Sequence, residues 1–211
     1  MKFIKAEKLT NERFLNLFKL YFESENGEII EWIISSRAKD INNLTCITGE
    51  TKADTICIIP KIKIDNKEHL VITKEFRQPV NDYIYSFPAG AIEKGEKPLE
   101  GAIREAKEEI GAEEISEINQ LTDICYNSEG MTDESVIIYE VVVTKLGKQN
   151  LQDHEDIKLC IVPIEELADF VNDKTKKFST KTAIYCPMLI REFELKKQYE
   201  SLLTTHILNN N

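Results

Sequence analysis

Apolar positions along the chain fall into short strand-like runs first and helical spacings later. Residues 14–24 (FLNLFKLYFES) and 28–37 (EIIEWIISSR) are apolar and aromatic, and Asn26-Gly27 between them supplies the positive φ of a tight hairpin turn. TICIIPKIKI and HLVITKEFR are rich in β-branched residues and flank a polar turn at Asp65-Asn66-Lys67. Three more β runs follow: ISEINQLTDICY, ESVIIYEVVV and DIKLCIVPI; a polar, acidic loop, KLGKQNLQDHED, separates the last two. After Pro163 the spacing turns helical in IEELADFV and again in TKTAIYCPMLIREFELKKQYESLL, where Pro187 belongs in the first turns or kinks the helix. The pattern predicts a mixed α/β domain with an N-terminal β extension.

One further helix is marked by punctuation. Pro98 suits a first helical turn, where its missing N–H costs nothing, and Gly111 suits the end. Advancing about 100° per residue from Arg104 puts Glu108 at roughly 40°, Glu105 at roughly 100° and Glu109 at roughly 140°. Leu99, Ala102, Ile103, Ala106 and Ile110 fall on the opposite side, so one face is expected to be buried and the other to gather carboxylates. Glu105 and Glu109 are like charges at i,i+4, an unfavourable spacing that Glu108 worsens. Two readings stand: a solvated acidic face, or oxygen ligands around a hard cation such as Mg²⁺. Gly90 and Gly95 have P-loop spacing, but Gly95-Glu96-Lys97-Pro98 lacks the Gly-Lys-Ser/Thr ending that a P-loop needs.

Composition narrows the classes. The 211 residues are 42% apolar and 30% charged, with a net charge of −10, which suits a soluble globular protein and argues against nucleic-acid binding by broad electrostatics. The five cysteines are odd in number and never spaced C-x-x-C; Cys57 and Cys160 lie in apolar runs and read as reduced core residues of a cytoplasmic protein. His69, His154 and His206 show no zinc spacing. The start, MKFIKAEKLT, lacks a signal-peptide core, and no run approaches the ~20 apolar residues of a membrane helix.

The stretch from Gly90 to Ala112 resembles the Nudix hydrolase box, Gly, five residues, Glu, seven residues, Arg-Glu-U-x-Glu-Glu-x-Gly-U, where U is apolar. Its fixed positions are Gly90, Glu96, Arg104, Glu105, Glu108, Glu109 and Gly111, and small alanines, Ala106 and Ala112, take the U positions. EFRQPVNDYIYSFPAG before the box, EWIISSR near the N-terminus and DHEDIKLCIVP after it resemble the ADP-ribose pyrophosphatase branch. The chain departs from that branch after the box, where Ser128-Glu129-Gly130 replaces a Ser-Pro-Gly-like turn.

The resemblance implies an α/β/α sandwich with a mixed sheet, residues 51–211, preceded by a β-rich dimerisation segment, residues 1–50, that reaches into the site of a homodimer partner. It implies Mg²⁺, or Mn²⁺, held by Glu105 and Glu109 with Glu108 and the backbone carbonyl of Ala89 assisting. Arg104 would fix Glu108, and Glu96 would orient the loop or an outer metal shell. Trp32 would stack adenine, Arg37 and Arg77 would contact phosphate or ribose, and Glu134 would also bind substrate; the catalytic base would be Glu155, with Glu134 the other candidate. The implied reaction is hydrolysis of ADP-ribose to AMP and ribose 5-phosphate. Its rivals are another nucleoside diphosphate sugar, a dinucleotide, or a non-catalytic module that binds a nucleotide sugar.

Overall fold

The apolar run that begins at Thr55 is buried on both of its faces, and this sets the layering of the molecule. The structure, a computed structural model, describes residues 1–153 and 155–209, with side chains as far as Leu203. His154 and the side chain of His206 lie outside the described residues. The strands are β1 (Lys2–Lys8), β2 (Asn16–Glu23), β3 (Ile29–Ser36), β4 (Thr55–Ile64), β5 (Lys67–Arg77), β6 (Asp82–Ser86), β7 (Ala89–Ala91), β8 (Ala112–Gln120), β9 (Cys125–Tyr126), β10 (Ser135–Leu146) and β11 (Ile157–Pro163). The helices are α1 (Thr45–Thr48), α2 (Pro98–Glu109), α3 (Leu167–Asn172) and α4 (Thr180–Asn209), with short 3₁₀ turns at Ile41–Asn43 and Ile164–Glu166.

Strands β11-β5-β4-β10-β8 form one sheet, to which β6, β7 and β9 are added on β5, β4 and β10. The sheet is mixed, since β4 and β10 run parallel while the other pairs are antiparallel. Successive residues of β4 point to opposite layers. Ile56 and Ile58 pack with Ala102 and Ala106 of α2 and Ile110 just after it, whereas Cys57 and Ile59 pack with Leu167 of α3 and Cys186 and Leu189 of α4. This is the expected α/β/α sandwich. The turn into β5 places both Asp65 and Asn66 at positive φ, 50° and 63°, as a twisted two-residue hairpin requires; Lys67 already belongs to the strand. Pro187 lies inside α4, past its first turn.

The expected N-terminal hairpin is β2–β3, with Gly27 at φ 81°. The sequence pattern missed β1, which adds to β2 at the sheet edge. Its lysines, Lys2, Lys5 and Lys8, dilute the apolar signal; charged residues on an edge strand also discourage pairing with other chains. The inner face of this sheet encloses a small core of Phe18, Leu20, Ile34 and Leu44. The loop after β9 holds the sheet to the larger one. Ser35 N–H donates to Met131 O at 2.9 Å, and Trp32 Nε1 donates to Gly130 O at 2.9 Å. The residues around Glu129, where the chain departs from the family-like turn, are thus the joint between the sheets.

The five cysteines are free; Cys57 and Cys186 are buried, Cys160 is half-buried, and Cys46 and Cys125 are exposed. Among the described residues no helix is long and apolar enough to cross a membrane.

Candidate active site

Helix α2 begins with Pro98 in its first turn, and Glu100 accepts the Lys97 N–H at 2.9 Å, closing the N-terminal end. It ends where Gly111 turns at φ 67°. The far end is held from outside. Gln149 Nε2 donates to Glu109 O at 2.6 Å and Asn150 N–H to Glu108 O at 2.8 Å, so the loop after β10 satisfies carbonyls that a helix end leaves open. One expectation is corrected here. The helical wheel put all the carboxylates opposite the buried face, yet Glu105 and Glu109 are each only 6% exposed and Leu99 is 44% exposed. The reason is tertiary. β7 covers the helix on the glutamate side as well, and its Gly90 leaves room for the Glu105 carboxylate.

Arg104 gathers the box acids. Its Nε and Nη2 donate to the two oxygens of Glu96 at 2.9 and 3.1 Å, and Nη1 donates to Glu105 at 2.7 Å and Glu108 at 3.1 Å. Nη2 also reaches Ala91 O at 2.9 Å. These bonds hold the Glu96 carboxyl below its ordinary range and raise the guanidinium further above its own. Glu105 is nevertheless pushed up, because burial outweighs Arg104. Glu109, further from Arg104, is pushed up to about 9, first by burial and then by the charges of Glu105, Glu75 and Glu155; Arg77 opposes the shift.

Beside Glu109 opens a cleft of about 470 Å³. It brings together Arg37, Arg77, Ala89, Glu109, Glu134 and Glu155 from the residues expected at the site. Arg37 pairs with Glu134 at 2.7 Å, and Arg77 pairs with Glu75 at 2.8 Å. Glu155 closes a turn by accepting the Gln152 N–H on Oε2 at 2.8 Å; among the described residues its Oε1 has no protein partner. Both oxygens of Glu134 are taken, one by Arg37 and one by Asn127. Arg104, Glu105 and Glu108 do not line the cleft. Trp32 does not line the cleft of its own chain and is half exposed.

Sequence reasoning missed four residues. Glu75 was readable in principle, since strand alternation puts it on the face of Arg77, two positions away. Asn127, Gln149 and Lys181 carried no local signal, because each reaches the site through chain reversal.

The side chains suit a divalent cation. Among the described residues Glu109 Oε2 is buried without a partner, an orphaned acceptor in a carboxyl that burial pushes up to about 9. The donors nearby are hard oxygens, the kind Mg²⁺ takes. As the side chains stand, no three acidic, histidine or cysteine groups among the described residues converge into a closed shell, and Arg104 bridges Glu105 and Glu108.

The fold is an α/β/α sandwich that packs an acidic helix against a glycine strand, beside a cleft lined by Arg37 and Arg77. The NUDIX domain family model matches residues 59–182, more than half of the chain, and the protein belongs to the Nudix hydrolases. Among relatives, an uncharacterized Nudix hydrolase of Schizosaccharomyces pombe is 26% identical over 159 residues, 74% of this chain and 73% of that one. An ADP-ribose pyrophosphatase of Saccharomyces cerevisiae is 27% identical over 163 residues, 74% of this chain and 67% of that one. The fold is shared with the crystal structure of an ADP compounds hydrolase, at TM-score 0.63 and 19% identity, covering 93% of this chain and 95% of that one.

Proposed function

We propose that the protein hydrolyses the pyrophosphate bond of ADP-ribose, in the presence of Mg²⁺ or Mn²⁺, to AMP and ribose 5-phosphate. The observation that carries this reading is the cleft itself, where paired arginines face a buried carboxylate whose Oε2 has no partner. The ADP-ribose pyrophosphatase among the relatives supports the substrate. Glu105, Glu108, Glu109 and the Ala89 carbonyl would hold the metal, which when bound neutralises diphosphate charge and acidifies water. Arg104 positions these carboxylates without touching substrate. Arg37 and Arg77 bind phosphate or ribose oxygens as charge-assisted donors.

Glu155 is the general base in this reading, since its free Oε1 can accept a proton from water, while Glu134 is occupied on both oxygens. The N-terminal sheet, residues 1–50, pairs two copies and carries Trp32 toward the neighbouring cleft to stack adenine. The exposed Trp32, Leu17, Ile29 and Ile33 support that pairing. Residues 51–211 form the hydrolytic unit, and the protein acts in the cytoplasm on small nucleotide sugars.

The test is a Mg²⁺ substrate panel of ADP-ribose, ADP-glucose and a dinucleotide, followed by detection of AMP. Glu109→Gln and Glu155→Gln are each expected to lose about 10²-fold or more in kcat. Full activity in Glu155→Gln moves the base elsewhere, with Glu134 next. Absence of cleavage of every diphosphate by the wild type ends the reading.

A further inference from the structure

The cleft holds three cations, and they are not equivalent. Arg37 is neutralised by Glu134 and Arg77 by Glu75. Lys181, in the first turn of α4, donates only to the neutral Asn127 Oδ1, at 2.6 Å; among the described residues it has no carboxylate partner. Bonded to a neutral amide, it keeps its whole charge, with two of its three donors in reserve.

Its position is built rather than loose. Ser179 N–H donates to Tyr85 O and Tyr85 N–H to Lys177 O, so the chain entering α4 is stitched along β6. Ser179 Oγ then meets Thr182 Oγ1 at 3.0 Å, setting the first turn. Asn127 is oriented on both sides, since its Nδ2 donates to Glu134 at 3.0 Å. A continuous chain of contacts therefore runs Lys181–Asn127–Glu134–Arg37, from the C-terminal helix to the N-terminal sheet. A lysine in a first helical turn opposes the helix dipole, so its placement does nothing for α4 itself. It comes from the layer opposite α2, and the buried Cys57 thiol feels both Lys181 and Glu109.

We propose that Lys181 is a phosphate anchor, donating to a non-bridging oxygen of the substrate's diphosphate from the α4 side of the cleft, and that it is a specificity-determining residue for phosphate-bearing ligands. This rests on the reading that the cleft takes a nucleoside diphosphate. Glu109 reaches the cleft from the α2 layer of the sandwich and Lys181 from the α4 layer, so a diphosphate that meets both lies between them. Arg37 shares the load through the contact chain.

The probe is inorganic pyrophosphate with Mg²⁺, titrated calorimetrically into wild type, Lys181→Met, Lys181→Gln and Lys181→Arg. Lys181→Met and Lys181→Gln are expected to bind about ten- to a hundredfold more weakly, and Lys181→Arg within a few fold of wild type. Lys181→Gln keeps a donor for Asn127, so a loss there reports charge rather than a collapsed loop. Mn²⁺ affinity should be unchanged in all three variants, and the thermal midpoint should hold in Lys181→Gln and Lys181→Arg, which keep a donor for Asn127. Pyrophosphate affinity within twofold of wild type in Lys181→Met and Lys181→Gln overturns the proposal, as does a wild type that does not bind pyrophosphate. If pyrophosphate binding depends on Lys181 but ADP-ribose is not cleaved, the proposed reaction fails and the anchor stands. If ADP-ribose is cleaved with the same kcat/KM by Lys181→Gln, the anchor fails and the reaction stands.

Discussion

Gly90 lies against the carboxylate of Glu105 so closely that a Cβ at residue 90 would stand 1.7 Å from Glu105 Oε1. The glycine is needed for space, since its φ is not in the left-handed region. Gly90→Ala must therefore displace the glutamate, whose other contact is Arg104. We expect the variant to fold, and to lose about 10- to 100-fold in both Mn²⁺ affinity and kcat. Calorimetric Mn²⁺ titration and steady-state rates check this; unchanged metal affinity would remove Glu105 from the ligand set.

Arg104 is the only cation bonded to Glu96, Glu105 and Glu108 among the described residues, and those side chains are 13%, 8% and 34% exposed. Removing it leaves the buried Glu105 and the half-buried Glu96 without a counter-charge. Arg104→Ala should cost about 3 kcal/mol in urea unfolding. Arg104→Lys should recover less than half of that, because an ammonium lacks the planar fork that grips both Glu96 oxygens. Equal stability of Arg104→Lys and wild type would show that the fork geometry is idle.

The box helix and most of the strands of both sheets were legible in the chain, because Pro98, Gly111, Asn26-Gly27 and Asp65-Asn66 are local signals with local causes. Strand β1 was not, since an edge strand buries one face and can carry Lys2, Lys5 and Lys8 without cost. The arrangement at α2 was half legible. Spacing put Glu105 and Glu109 on one side of the helix, but their burial depends on β7, which is brought there by the fold. Lys181 and Asn127 are further from legibility still. They meet only because α4 is stitched to β6 and the loop after β9 is held against β3.

Gln149 ties the loop after β10 to the last turn of α2. Its Nε2 bond to Glu109 O anchors the backbone of the residue whose carboxylate faces the cleft. Gln149→Ala should lower stability by about 1 kcal/mol, the ordinary worth of one partly buried hydrogen bond. It should also lower kcat several-fold while leaving KM within twofold, as a positioning role requires. A stability loss with unchanged kcat would confine Gln149 to capping.

The buried carboxyl of Glu109 gives the metal-free protein a distinctive pH response. Its folded value, about 9, lies above the ordinary 4.5, so between those limits the folded state holds a proton that the unfolded state releases. Stability should therefore fall as pH rises through that window and level off above it. Glu105 and Glu75, also raised by burial, add to the slope with the same sign. Thermal midpoints in EDTA from pH 5 to about 9 should decline in wild type and decline less in Glu109→Gln, which is expected to be the more stable of the two at pH 8. Saturating Mg²⁺ or Mn²⁺ should flatten the wild-type curve by supplying the charge that the proton supplied, and leave Glu109→Gln nearly unmoved. A wild-type midpoint that rises with pH in EDTA would mean that the Glu109 carboxylate is ionised without metal, and the cation would lose its main structural rationale.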